Sequence, residues 1–135
     1  MRDYVTIMRL RACLMAGALL VAGCAADGYD WEIYDQGSYR FWEDGEVLEL
    51  DKLRAAGVTF QRWDDRYFEP KGLQIFADDE SAIDITIGGL HTKVDRGYEG
   101  EGRDVTFLPK TAGEIQLQFL ASNRDETRNL IIVVK

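Results

Sequence analysis

Apolar and polar residues alternate through most of the second half of the chain. The segments 58–63 (Val-Thr-Phe-Gln-Arg-Trp), 73–76, 83–87, 90–94, 105–108 and 115–119 each place every second side chain on one apolar face. A period of two is the mark of a half-buried strand. Short strands recurring every ~8–12 residues with glycine-rich breaks predict an all-β antiparallel sandwich or small barrel. The last segment, 130–134 (Leu-Ile-Ile-Val-Val), has no polar alternation, which predicts a central strand covered on both faces. Upstream, 39–42 and 47–50 flank Glu43-Asp44-Gly45, and an Asp-Gly pair between apolar runs predicts a tight hairpin. Asp51 is placed to cap one helical turn through Ala56, stopped by Gly57. Residues 25–38 mix turn formers with aromatics and lack sustained alternation, so they are expected to be a tether.

The first part of the chain follows a different pattern. Arg9 and Arg11 precede the unbroken apolar run 12–23. That run is short of the ~20 residues a membrane helix needs and falls within the ~7–15 of a signal-peptide core. It ends in Val21-Ala22-Gly23-Cys24, which resembles the bacterial lipobox. The resemblance implies cleavage before Cys24 and a diacylglycerol thioether on its sulfur. The expected organisation is a signal peptide over 1–23, a tether over 24–38 and a β-sandwich domain over 39–135. The location it implies is the bacterial cell envelope, lipid-anchored, and Ala25 after the cysteine favours the periplasm-facing outer membrane.

Charge then narrows the partners. The chain has 16 Lys+Arg and 24 Asp+Glu; without Arg2, Arg9, Arg11 and Asp3 of the leader, 13 basic and 23 acidic residues remain, a net charge of −10. A domain so acidic repels phosphate backbones, which argues against a nucleic-acid partner. Membrane attachment falls to the anchor at Cys24. The two cysteines, Cys13 and Cys24, lie in or at the end of the leader, so the domain is expected to hold itself together without disulfides.

Several pieces of residues 58–135 resemble a cupredoxin domain: Tyr67-Phe68-Glu69-Pro70-Lys71 ahead of 73–76, 83–87 followed by His91, and 105–114 (Val-Thr-Phe-Leu-Pro-Lys-Thr-Ala-Gly-Glu) ahead of the closing strands. The resemblance implies a Greek-key sandwich. It does not bring the type 1 copper site, which takes a thiolate and two imidazoles. Only His91 matches a ligand, Phe119 or a neighbour stands in the cysteine's position, and Met1, Met8 and Met15 are all in the leader. Residues 100–107 and 113–117 also resemble the chagasin-type protease inhibitors, which are immunoglobulin-like sandwiches, although the inhibitory Asn-Pro-Thr-Thr-Gly and Arg-Pro-Trp segments are missing. The fold expected is thus cupredoxin-like or immunoglobulin-like.

Few residues stand out as a site. Trp31, Tyr34 and Trp42, within the densest aromatic cluster, are the candidate partner-binding residues, with packing in the core as the competing reading. Asp95, Glu99, Glu101 and Asp104 are weak candidates for hard-metal ligands, without a calcium-loop spacing. His91 lacks the Ser, Cys or second His of a recognisable triad or zinc site. No catalytic residue and no cofactor is expected. These features favour a non-catalytic envelope lipoprotein that binds a protein or glycan partner. Calcium or other hard-metal binding is the alternative, and a chagasin-like inhibitor or an enzyme comes third.

Overall fold

A computed structural model describes residues 29–62, 67–95 and 97–135. The leader and Cys24 lie outside the described residues. The sandwich belongs to a compact unit, Trp31–Lys135, and its strands are β1 Tyr29–Asp35, β2 Glu46–Leu48, β3 Arg54–Arg62, β4 Tyr67–Phe68, β5 Gln74–Ala77, β6 Ile83–Asp95, β7 Tyr98–Pro109, β8 Gly113–Ala121 and β9 Arg124–Val134. One sheet has the order β1-β3-β4-β7-β6, with β3 also paired directly to β7, and the other β2-β9-β8-β5. With the two-residue β4 and the three-residue β2 set aside, these are the ABED and GFC orders of the immunoglobulin sandwich.

The alternating segments are strands, and most are longer than the pattern alone marks. The runs 83–87 and 90–94 are one strand, because Gly88-Gly89 forms a bulge instead of a break: Ile87 pairs with Val105, but Leu90 pairs with Arg103. The strand 130–134 is central, between β2 and β8. Leu130, Ile132 and Val134 enter the core, and Ile131 and Val133 are half-buried on the other face.

Three expectations are corrected. First, the tether ends earlier than 38: β1 occupies 29–35, and Trp31 and Ile33 belong to the core. Second, 39–42 and 47–50 are not a hairpin. Asp44-Gly45 does turn the chain, but β2 leaves to pair in parallel with β9, Glu46 against Ile132, while Phe41 bridges back to Tyr34. The second sheet is therefore mixed, and so is the first, in which β4 pairs in parallel with β7. Third, 51–56 hold no helical turn. Asp51 has φ 62°, and β3 begins at Arg54.

The core lies between the sheets, built from alternate residues of each strand. Phe60, Phe107, Leu117, Phe119 and Ile132 are fully enclosed. Trp31 meets Phe60 edge-on at 4.5 Å, and Trp42 lies 5.4 Å from Phe107. At one end β3 and β7 part after Val58 and Arg103, and β4 fills the fork, Phe68 opposite Phe60 and Tyr67 opposite Gly100. The buried Thr59 hydroxyl points at the Glu101 and Phe68 carbonyls, 2.7 and 3.1 Å away, and so holds the fork.

The bulge at Gly88-Gly89 also decides which side chains reach which face. Before it, Ile83 and Ile85 point inward to the core. One extra residue reverses the alternation, so His91 and Lys93 project from the outer face. They share that face with Gly100, Gly102 and Asp104 of β7 and Glu32 and Tyr34 of β1.

Glycine is required on this outer face for space. A Cβ on Gly57 would collide with the Tyr34 ring, and one on Gly102 with the Tyr34 hydroxyl and the His91 ring. Gly57→Ala or Gly102→Ala is therefore expected to cost about 1–3 kcal/mol through overpacking, read as a lower urea midpoint. Gly89→Ala, with open space around its Cβ position, should cost clearly less.

Candidate functional site

The outer face of the first sheet carries a buried polar network. Tyr34, fully buried on β1, lies across Gly57 of β3 and Gly102 of β7 and meets His91 of β6, with 2.6 Å between its Oη and Nε2. The other ring nitrogen, Nδ1, is 2.6 Å from Asp104 Oδ1. A carboxylate only accepts, so Nδ1 carries the proton in the neutral ring and donates to Asp104. Nε2 then accepts from the Tyr34 hydroxyl. Burial, and after it the nearby Tyr39, Asp104, Glu32 and Tyr67, hold the Tyr34 phenol well above the usual range, in keeping with a phenol that donates. The order Asp–His–Tyr resembles a nucleophile chain, but the Tyr34 side chain has no exposure to a substrate. It acts as a strut.

A second strut runs beside the first. Lys93 Nζ, with no exposed surface, pairs with Glu32 Oε1 at 2.7 Å. The ammonium lies 4.1 Å from the Tyr67 ring centroid and 4.3 Å from that of Tyr34, with Tyr39 and Phe41 each at 5.5 Å. Rings at this range attract a cation through their negative faces, and they also exclude water from the pair.

At the end of β1 a half-buried clasp begins. Asp35 accepts from Trp42 Nε1 at 2.8 Å, Arg54 at 2.8 Å and Arg40 at 3.0 Å. Glu46 also accepts from Arg54, at 2.8 Å, and from Arg40. Arg54 lies 4.9 Å over the Trp42 ring. Burial pushes the Asp35 carboxyl up, but the hydrogen bonds from Arg54 and Trp42 and the charges of Arg54 and Arg40 outweigh it, and its pKa is lowered.

The structure disperses the residues singled out from the sequence. Trp31 and Trp42 are core residues, 8% and 2% exposed, which corrects their reading as partner-binding residues. Their indole N–H groups are spent inside, on the Glu126 carbonyl and on Asp35. Tyr34 is equally enclosed. The metal candidates do not converge: Glu99 and Glu101 project from one face of β7, and Asp104, held by His91, projects from the other. The side chain of Asp95 is outside the described ones. Among the described residues no three His, Cys, Asp or Glu form a metal-ligating group. His91 is half-buried on a strand, as expected, but between two partners. In the sequence Lys93, Glu32, Gln36 and Gly102 do not stand out as site residues, and Gly57 reads as a helix stop; the Gly-Gly doublet within a strand pattern is the signal for the bulge that turns His91 and Lys93 to this face.

Beside His91 the loop after β1 leaves a cleft of about 250 Å³ lined by Gln36, Gly37, Tyr39, His91 and Asp104. It is partly open to solvent and lies where the polar network reaches the surface. Tyr39 has φ 59°, the left-handed region that a non-glycine residue seldom takes.

These features define a β-sandwich protein of immunoglobulin strand order with a buried polar face. Among solved structures it is similar to one described as the S-layer protein SbsC, domains 4 and 5, at a TM-score of 0.50 and 11% identity, over 68% of this chain. The match spans 42% of that chain, and at this identity the likeness shows the fold alone. No protein-family model and no curated protein matches the sequence.

Two outcomes follow from the network. Lys93→Met leaves the Glu32 carboxylate buried without its ammonium and should cost about 3–5 kcal/mol, whereas Lys93→Met with Glu32→Leu should recover most of that loss in urea denaturation. For Asp35 the folded pKa lies below the unfolded value of 3.8. Its stabilisation is thus fully present above that value and is lost as pH falls through the folded pKa. Asp35→Asn should flatten the fall of the melting temperature below about pH 4 and lower it at neutral pH.

Proposed function

We propose that the chain is a non-catalytic envelope lipoprotein: a sandwich domain held to the membrane by an acylated Cys24, which binds a partner through the cleft where its polar network reaches the surface. The observation that carries this reading is the order of basic end, short apolar core and Val21-Ala22-Gly23-Cys24, with only Ala25, Ala26, Asp27 and Gly28 between that cysteine and the first strand. Such spacing suits a domain presented directly from a lipid anchor. Two or more acyl chains give stable anchoring where one gives only marginal binding. The outer membrane, facing the periplasm, is the proposed destination, on the evidence of Ala25 after the cysteine.

The immunoglobulin-type scaffold is compatible with many functions, each carried on a grafted site or loop, and the cleft beside His91 offers a place for one. The Asp–His–Tyr chain gives no argument for catalysis, because its terminal oxygen is enclosed. Growth with radiolabelled fatty acid should label the native protein and leave Cys24→Ser unlabelled and unprocessed. Equal labelling of the two proteins would overturn the reading.

A further inference from the structure

The polar atoms lining the cleft at Gln36, Tyr39, His91 and Asp104 have a consistent bias. Both hydrogens of the Gln36 amide are used within the fold: Nε2 donates to the Ala56 carbonyl at 2.8 Å and to Asp104 Oδ1 at 3.3 Å. Two acceptors at that end fix the amide's orientation, so its other atom, Oε1, is a carbonyl oxygen without a partner among the described residues. His91 has committed Nδ1 to Asp104 and Nε2 to Tyr34. Asp104 Oδ1 receives both His91 and Gln36, while Oδ2 has no partner among the described residues, and the side chain is 42% exposed. The half-buried Tyr39 supplies an aromatic wall.

The cleft therefore shows a visitor a carboxylate oxygen, an amide oxygen and a ring, while its nearby side-chain N–H groups are consumed. A group rich in donors and carrying positive charge meets all three: the oxygens take its hydrogen bonds, strengthened by charge, and the ring packs against its apolar stem. A phosphate or carboxylate would face the Asp104 charge. The excess of acidic residues adds a long-range bias of the same sign.

We infer that this cleft is a receptor for one basic side chain, an arginine or lysine, of a protein partner. The inference rests on the proposed binding role and gives it a site and a ligand chemistry. The Tyr34 and Lys93 struts fix the cleft's back wall from behind, since His91 is held at both nitrogens. A wall that does not reorganise loses less on binding.

His91 is the protein's one histidine, so its ring signals report on the cleft without ambiguity. The full-length protein in detergent micelles would be titrated with N-acetyl-arginine amide, N-acetyl-citrulline amide, spermidine and a neutral disaccharide while the His91 ring resonances are followed by NMR. Arginine amide should give a saturable shift, and citrulline amide, nearly the same shape without the charge, should bind about tenfold more weakly. Asp104→Asn, which keeps an acceptor for His91, should lose the arginine response to a similar extent while melting near the native temperature. No saturable shift, or equal responses to arginine and citrulline, would overturn the inference. A stronger response to spermidine would make the cleft a polyamine site, and one to the disaccharide a glycan site; either removes the basic side chain as its ligand. None of these failures bears on acylation of Cys24, which the labelling experiment decides separately.

Discussion

Two side-chain struts laid across the outer face of the first sheet are the constraint on which the rest of this structure depends. β1 and β6 are the edges of that sheet, with β3 and β7 between them, so they stand about 14 Å apart at ordinary strand spacing. Tyr34 with His91, and Glu32 with Lys93, close that gap by direct contact. Side chains can lie flat over a sheet only where nothing rises from it. Gly57 and Gly102 provide that floor under Tyr34. Edge strands are ordinarily the places where a sheet frays or pairs wrongly. Here the two edges are coupled to each other across the face, in addition to the ladders that bind each to its neighbour.

The same constraint explains the bulge. With an unbroken period of two, His91 and Lys93 would lie on the core side with Ile83 and Ile85. A lysine and a histidine there would point away from Glu32, Tyr34 and Asp104, their partners on the outer face. The extra residue at Gly88-Gly89 sends Ile83 and Ile85 one way and His91 and Lys93 the other. One strand thus serves the hydrophobic core with its first half and the polar face with its second. Leu90 and Val94, which alternate with them, project past the core and are 46% and 53% exposed.

How much of this was legible in the sequence follows from what periodicity encodes. Alternation marks a strand whose two faces differ in polarity, and it marked β3, β5, β6, β7 and β8; β9 showed instead as an unbroken apolar run. It did not mark β1, where polar-side positions hold Glu32 and Tyr34 beside Trp31 and Ile33, because both faces of that strand are buried. It did not mark β4, whose two residues exist as a strand only because β3 and β7 diverge. The Asp-Gly turn was read correctly as a turn, but the partner of β2 is the last strand of the chain, and no local pattern states a pairing with residues 132–134. His91 was visible as a lone histidine. Its partners Tyr34 and Asp104 lie 57 and 13 residues away, so their convergence is a property of the strand order.

A buried ion pair is a poor source of net stability, since the cost of desolvating both charges can exceed their attraction, and apolar replacements are often as stable. The value of Glu32–Lys93 therefore lies in what it forbids. An apolar pair would tolerate a slip of either edge strand by two residues, because any apolar neighbour would serve. A buried ammonium accepts no such substitute: it needs the one carboxylate that reaches it, and the aromatic rings leave no water to replace it. Tyr34 and His91 impose a similar demand through hydrogen bonds at both ring nitrogens. Together the struts select one relative register for β1 and β6, strands that never touch along their backbones. That register sets His91 and Asp104 behind the loop of Gln36–Tyr39, and so shapes the cleft.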